Sequence, residues 1–390
     1  MALQILTWFL FFALFYLLVT SIILIRNMID LTSLSSELRP GYLPKISVCI
    51  PARNEEKSIG LLLRSLENQD WPDYDVHVLD DRSSDQTFEI AQSFHNKTPT
   101  TFFVHRGKEK PPYWLGKPWA CHQLSEKTDA PLLLFLDADT TLQPGTLKKI
   151  AASFQKYSLD MLTVWPKQKM LTFWEKTIIP IIYHTLLSLL PAIYVYRDPK
   201  WMPGFLRQKV RPAFAAACGQ CLAFKREAYD SVGGHKAVSN KVIEDVELAK
   251  RIKKKGLTLR MFDGIGSVSC RMYSSQSEIF DGLRKNFLIG FNESIPAFVG
   301  AGILHLIVFV LPFITLLISF AIHNSLLIFL SSLTICLILF QRLLLASWYQ
   351  MNPLFSVTHP IGVLWFEWLA FVKLQDYFGG RSTTWKGRKV

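Results

Sequence analysis

Asp137 and Asp139 stand two residues apart, directly after the apolar run Leu132-Leu133-Leu134-Phe135-Leu136. An apolar run this short reads as a buried strand. Two carboxylates at the mouth of such a strand are costly unless something positive shares the site. A divalent cation is the usual partner, and one with open coordination positions can hold a diphosphate. The chemistry to expect is that of an enzyme acting on a nucleotide phosphate. The plainer alternative is a strand that ends in a solvated, capped turn.

Other strands also end in acidic steps. Residues 46–51 read as a buried strand that runs into Pro51-Ala52-Arg53-Asn54-Glu55-Glu56. Residues 75–80 alternate like a second strand and run into Asp80-Asp81-Arg82-Ser83-Ser84-Asp85. Between them Ile59, Leu62, Leu63 and Leu66 recur at helical spacing, and Ser84 to Thr87 can cap a helix through Phe88, Ile90 and Ala91. A third strand falls near residues 101–105 and a fourth at 132–136. Strands alternating with helices imply an α/β fold with a mainly parallel sheet. Ligands of such sheets bind beyond the carboxyl ends of the strands. Pro51 to Glu55, Asp80 to Ser84 and Asp137 to Asp139 would then share one rim. Glu244-Asp245-Val246-Glu247, followed by Lys250 to Lys255, reads on its own as a helix with acids at its start and bases at its end. The CxxC step Cys218-Gly219-Gln220-Cys221 has no second pair, and reduced thiols are a simpler reading than a zinc or redox site.

Composition calls for a membrane beside this domain. Half of the 390 residues are hydrophobic, with 28 Phe and 11 Trp, and the mean hydropathy is positive. Residues 5–25 are almost purely apolar and precede Arg26, long enough to span a bilayer. A signal peptide is the competing reading, but no basic start precedes the run and no small-x-small cleavage site follows it. An uncleaved N-terminal transmembrane anchor is expected. Residues 297–320 and 326–348, separated by His323-Asn324-Ser325, read as a hairpin of C-terminal transmembrane helices, with Arg342 snorkelling to the interface. Residues 354–378 are apolar and aromatic but carry Glu367, Lys373 and Asp376, and could span, re-enter or lie in the interface. Residues 173–196 are apolar but interrupted by Pro180, His184, Ser188 and Pro191. They read as interfacial, because a span there would strand the later acidic motif across the membrane.

The formal net charge is +12. Nucleic-acid binding is one reading of a basic chain. Here the bases cluster beside apolar segments, with Arg197, Lys200, Arg207, Lys209 and Arg211 in one group and Arg381, Lys386, Arg388 and Lys389 in the 379–390 tail. That pattern suits an anionic inner leaflet, and Arg26, Lys45 and Arg53 after the first span favour a cytoplasmic central domain.

Taken in order, Pro51-Ala52-Arg53-Asn54-Glu55-Glu56, Asp80-Asp81-Arg82-Ser83-Ser84-Asp85, Asp137-Ala138-Asp139 and Glu244-Asp245-Val246-Glu247-Leu248-Ala249-Lys250-Arg251 resemble family 2 glycosyltransferases over residues 45–292. The resemblance implies a GT-A (Rossmann-like) fold, a nucleotide-sugar donor with a UDP-sugar favoured, and inversion at the sugar carbon. It implies a donor site built from the Pro51 loop, Glu55 and Asp80, with a Mg2+ or Mn2+ ion at Asp139 and with Asp137 beside the ribose or the metal. Carboxylates suit these tasks as acceptor-only partners for a uracil N–H or ribose hydroxyls, and as hard oxygen ligands. The metal would stabilise the charge that grows on the leaving diphosphate. Asp245 matches the family's base, which takes the acceptor proton as oxygen attacks the sugar, and Glu244 is the alternative. Tyr113-Trp114-Leu115-Gly116-Lys117-Pro118 resembles a loop of members that glycosylate carotenoids or hopanoids, and would set Lys117 beside nucleotide or phosphate charge. Ala217 to Cys221, followed by Gly233-Gly234-His235, resembles the acceptor-side segment and assigns Gly219 and Gln220 to it.

One departure narrows the expectation. Processive polysaccharide synthases carry Gln-x-x-Arg-Trp after the base, and Asp281-Gly282-Leu283-Arg284-Lys285 keeps only the Arg. Arg284-Lys285-Asn286-Phe287 and Trp385-Lys386-Gly387-Arg388 instead resemble the carotenoid- and hopanoid-type branch, which adds Arg284, with Arg271, to the acceptor side. A basic surface facing anionic lipid is the alternative for both arginines. The expected protein is a multi-pass enzyme of the cell membrane with a cytoplasmic catalytic domain. It would move one sugar to a hydroxyl or carboxyl group of a membrane lipid such as a carotenoid, hopanoid or other glycolipid precursor. Its expected partners are the donor, the lipid acceptor and the bilayer, without nucleic acid. A polyprenyl-phosphate acceptor, or a non-catalytic membrane scaffold that kept a nucleotide-binding fold, are the alternatives.

Overall fold

The computed structural model describes residues 1–95, 101–291, 293–381, 384–385 and 388–389. The chain forms two compact units. A sheet unit comprises Leu31–Lys169 and Ala192–Met272, and a helical unit comprises Met1–Asp30, Met170–Pro191 and Tyr273–Val390. Residues 170–191 and 273–292 of the expected 45–292 domain group with the helices. Lys386 and Gly387 of the tail motif lie outside the described residues.

The strands of the sheet unit are β1 (Ile46–Ala52), β2 (Tyr74–Asp80), β3 (Thr101–Arg106), β4 (Leu132–Leu136), β5 (Thr140–Leu142), β6 (Met161–Trp165), β7 (Lys167–Gln168), β8 (Cys221–Lys225), β9 (Leu259–Asp263) and β10 (Val268–Cys270). The main sheet runs β3-β2-β1-β4-β8-β6-β9, and β5-β10-β7 form a smaller one. β3, β2, β1 and β4 are parallel neighbours, as are β6 and β9. β8 is antiparallel to both of its neighbours. Every residue of β4 and β6 is buried, and both faces of the sheet are covered there, which is why β4 reads as an unbroken apolar run. The helix Ile59–Glu67 buries Ile59, Leu62, Leu63 and Leu66, the stripe expected from its spacing. Each buried leucine of this kind contributes ~1.5–3 kcal/mol. The register Ala52↔Asp80 brings the ends of β1 and β2 level. The pair Leu136↔Cys221 places the start of β8 beside the end of β4. Because β8 runs the other way, its entry loop, not its exit, reaches the rim.

The helical unit contains three helices long and apolar enough to cross a membrane: Leu3–Asp30, Ser325–Trp348 and Pro353–Phe378. The 297–320 run is divided at Val310 into the helices Ile295–Phe309 and Leu311–Ala321. Pro312, at the second position of the latter, lacks the N–H that would continue the ladder. The helix Phe173–Leu189 opens on a capping box between Thr172 and Glu175 and carries Pro180 inside. It packs within this unit: the Asn27 amide donates to the carbonyls of Leu187 and Leu190, both at 2.7 Å. Gln341 ties the first helix to the Ser325–Trp348 helix by donating to Leu17 O, Thr20 Oγ1 and Ser21 Oγ. Arg342 does not snorkel outward; it is buried at 3% exposure. Apolar side chains cover the outside instead. Trp8, Phe15, Ile22 and Ile29, seven residues apart along the first helix, are 72%, 67%, 68% and 64% exposed.

Candidate active site

The loops after β1 and β2 clasp one another. Asn54 and Arg82 adopt left-handed φ of 52° and 59°, tight turns that asparagine tolerates better than most residues. Asn54 Oδ1 accepts from Ser84 N at 2.9 Å, and Asp85 Oδ2 accepts from Glu56 N at 3.1 Å. Asp80, buried at the end of β2, accepts from Ser83 N at 3.3 and 3.4 Å. Glu55 accepts from Ser58 Oγ at 2.7 Å, at the entrance to the Ile59–Glu67 helix. Both acids are thus held in place at the rim by the serines that follow them. Pro51 lies in β1, paired with Leu79, one residue before the strand ends at Ala52.

Beside this clasp lies a cluster of opposite charges. Lys117 Nζ is 2.7 Å from Asp137 Oδ1 and 3.2 Å from Glu244 Oε1. It sits in the first turn of the helix Gly116–Ser125, and Glu244 and Asp245 open the helix Glu244–Lys254. The backbone of the 218–220 step completes the cluster: Gly219 N donates to Asp245 Oδ2 at 2.7 Å, and Asp137 N donates to Gln220 O at 3.2 Å. Val246 N holds the other Asp245 oxygen at 2.8 Å. A Cβ on Gly219 would lie 3.0 Å from Lys117 Nζ and 3.2 Å from Asp245 Oδ2, so a side chain there would press on the lysine tip and the carboxylate. Burial, with the charge of Glu244 beside it, pushes Asp245 up to about 7. Burial works against the Lys117 ammonium, yet Asp137 and Glu244 hold its pKa well above the ordinary value.

Asp139 differs from the others. Its Oδ1 is buried and has no hydrogen-bond partner among the described residues. Burial and the charges of Asp137 and Glu55 push its pKa up to about 7. No group of three or more His, Cys, Asp or Glu gathers as a metal cage among the described residues. An ion that takes one or two carboxylates and fills its other positions with phosphate oxygens and water fits such a site, which is the habit of Mg2+. Asp139 is the better ligand, since Asp137 Oδ1 already faces Lys117.

Residues 47–233 match the profile of Glycosyl transferase family 2. The chain carries a family 2 glycosyltransferase domain. It is 28% identical over 264 residues to a 4,4'-diaponeurosporenoate glycosyltransferase of Staphylococcus haemolyticus, a match spanning 64% of this chain and 63%, less than two thirds, of that relative. It is 26% identical over 356 residues to the enzyme of the same name from Staphylococcus aureus strain MRSA252, covering 88% of each. Its fold is similar to that of a mannosyltransferase from Pyrobaculum calidifontis solved with GDP-Man and Mn2+, with a TM-score of 0.54 and 16% identity over 92% of this chain and 99% of the other.

Around this glycosyltransferase rim the remaining sequence-derived residues divide. Arg271 is near it, its N donating to Asp139 O at 3.3 Å. Gln220 is tied to the strands beside it: its amide donates to Cys270 Sγ at 2.9 Å and accepts from Gln168 at 3.1 Å, and Cys270 pairs with Thr140, next to Asp139. Gln168 and Cys270 thus fix the Gly219–Gln220 step and were missed, because β7 and β10 are two and three residues long and exist only through pairing. Arg284 belongs to the helical unit, where Nε and Nη2 both meet the Asp376 carboxylate at 2.6 Å. Gly234 turns at φ 48° beneath the Tyr229 ring, where a Cβ would come within 2.5 Å, so the glycine pair serves packing. His235 is buried against the Tyr229 hydroxyl at 2.7 Å, and burial pushes its pKa down to about 3. Cys218 and Cys221 are free thiols, and burial pushes Cys218 up to about 12. A separate cavity of about 560 Å3, lined by Lys45, Asp75, His77, His105 and Lys127, lies where β1 and β4 begin, away from the rim.

Proposed function

We propose that this glycosyltransferase moves a single sugar, with inversion, from a nucleotide sugar to a carboxyl or hydroxyl group of a membrane lipid of the carotenoid-acid class. The observation that carries the reading is the meeting of Lys117, Asp137, Glu244, Asp245 and the Gly219 backbone beside the orphaned Asp139 oxygen at one sheet rim. Glu55 and Asp80 bind the nucleoside through hydroxyl or N–H donors. Asp139 would hold a divalent ion, which when bound would supply positive charge for the departing diphosphate. The Mn2+ in the Pyrobaculum enzyme supports a divalent ion but leaves Mg2+ and Mn2+ both open. Lys117 keeps Asp137 and Glu244 from repelling one another and adds positive charge near the phosphates. Asp245, pinned by two backbone N–H groups, faces the acceptor and takes the proton of a hydroxyl. A carboxylate acceptor arrives ionised and needs only to be oriented.

The lipid acceptor rests on three supports. The relatives are named for diaponeurosporenoate. The helical unit carries spans with apolar outer faces. In the sheet unit, Trp201 and Phe205 are 71% and 76% exposed among Arg197, Lys200, Arg207 and Lys209, a combination that suits a lipid surface. The basic residues after the first span favour a cell-membrane enzyme whose catalytic unit is cytoplasmic.

The test is release of nucleoside diphosphate by the full-length protein in lipid nanodiscs, with UDP- and GDP-sugars, Mg2+ or Mn2+, and total membrane lipid extract. The expected result is metal-dependent release that rises with the extract and disappears in Asp139→Ala. Equal release by Asp139→Ala would remove the metal role. No release from any donor by folded protein supplied with extract would return the scaffold reading.

A further inference from the structure

Arg342 is a cation of the helical unit that the catalytic reading does not use. It is 3% exposed, and its Nε and Nη1 are buried without a hydrogen-bond partner among the described residues. The buried acids of the unit are engaged elsewhere. Asp30 pairs with Arg26, Glu175 accepts from Leu171 N and Thr172 N, and Asp376 pairs with Arg284. A buried cation inside an apolar bundle is costly without an anion and marks a binding site when none is supplied by the protein.

Other orphaned polar groups lie on or next to the elements packed against its helix. Both ring nitrogens of His359 (1% exposed), Ser356 Oγ (2%) and Thr177 Oγ1 (fully buried) lack partners among the described residues. They belong together. Ser356 and His359 are three residues apart. Gly362, three further on, approaches the Phe173–Leu189 helix so closely that a Cβ would lie 3.0 Å from Thr177 O. The His359 ring lies 5.1 Å from that of His184, whose Nε2 meets Gln341 Oε1 at 2.7 Å, next in sequence to Arg342. The Ser325–Trp348 helix, which carries Arg342, packs against both the Phe173–Leu189 helix and the Pro353–Thr358 turn. The set offers hydroxyl, imidazole and guanidinium donors, and no carboxylate is paired with the guanidinium. Arg342 lies six residues from Trp348, the end of its helix, or ~9 Å along the axis. In a membrane span that is within reach of the head-group layer.

We propose that Arg342, with His359, Ser356 and Thr177, forms a binding site for the anionic head group of a membrane amphiphile, phosphate or carboxylate. The proposal rests on reading Ser325–Trp348 as a membrane span, and not on the catalytic roles at the rim. The site therefore takes lipid whether or not sugar is transferred.

The experiment is native mass spectrometry of the full-length protein released from zwitterionic nanodiscs doped with phosphatidylglycerol or, in a second arm, with oleate. Retention of an anionic lipid in preference to the zwitterionic one is expected, and the arm that shows it distinguishes phosphate from carboxylate. Arg342→Gln should lower retention by about tenfold or more, the loss of one charge-assisted contact. Arg342→Lys should keep part of it, and Arg26→Gln should leave it unchanged. If Arg342→Gln fails to fold, the double variant Thr177→Val, Ser356→Ala keeps the charge and should still weaken retention. Equal retention of anionic and zwitterionic lipid, or unchanged retention in the folded variants, would overturn the site in favour of buried water.

Discussion

Gly219 leaves no room for a side chain between Lys117 Nζ and Asp245 Oδ2. Gly219→Ala must push one of them away by a few tenths of an ångström, and the lysine tip is the softer neighbour. Displacements of this kind cost turnover more than stability. Turnover should fall about ten- to a hundredfold while the melting temperature changes little; a large melting shift with normal turnover would show that the contact is only structural. Asp245→Asn tests the base. With a hydroxyl acceptor, the acid limb of the wild-type pH–rate profile should fall near pH 7, where burial and Glu244 place this carboxyl, and Asn should remove nearly all turnover. With a carboxylate acceptor, the Asn variant should keep much of its rate. Stability has its own sign. A carboxyl whose folded pKa is raised stabilises the fold below its unfolded value of 3.8, and that contribution is lost as pH rises towards 7. Asp245→Asn should therefore melt later than wild type above pH 7, by an amount on the order of a few kcal/mol, and the gap should close on acidification. Asp137 and Asp139 could be read in advance because they follow a short apolar run, and Glu244 and Asp245 only through the motif they resemble. The Lys117 bridge could not, since a Gly-Lys-Pro step before a helix looks the same whether its lysine meets solvent or two carboxylates 20 and 127 residues away.

At the scale of elements, the strand that completes the site is the antiparallel one. The run Cys221–Phe224 is apolar and buried, and nothing in its composition encodes its direction. Direction follows from pairing with β4 and β6, far away in sequence. The parallel strands were legible because alternating helices and buried runs imply them. β8 was not, although its reversal is what brings the Gly219–Gln220 step against Asp137. Phe224, fully buried on β8 and packed on Phe135 and Tyr229, holds this arrangement. Phe224→Ala should cost ~3–5 kcal/mol in denaturant unfolding. Because it loosens the strand that positions Gly219, it should also lower turnover at temperatures where the variant remains folded. A loss of stability with full activity would mean that the site is held by the Glu244–Lys254 helix alone.

At the scale of the whole molecule, the first helix has two apolar faces with opposite fates. Leu10, Leu17 and Leu24, spaced by seven, are buried, while Trp8, Phe15, Ile22 and Ile29, spaced by seven on another face, are exposed. Sequence pattern cannot rank two such faces, because hydropathy alone gives both the same sign. Packing ranks them: the inner one meets the Ser325–Trp348 helix, where Leu10 and Leu14 cluster with Leu327 and Leu330. An outer face this apolar would drive aggregation in water, whereas in a bilayer it meets a solvent of its own kind. Lipids brominated along the acyl chain quench indole fluorescence on contact, which separates the two kinds of tryptophan. Trp8 is 72% exposed and Trp365 is 6% exposed. In nanodiscs containing such lipids, Trp8→Phe should reduce the quenchable share of the emission, and Trp365→Phe should leave it nearly unchanged. If Trp8 instead responds to a water-soluble quencher and not to the lipid, its end of the helix lies outside the hydrocarbon. The span would then have to start further along the chain, with Phe15 rather than Trp8 as its first outward anchor.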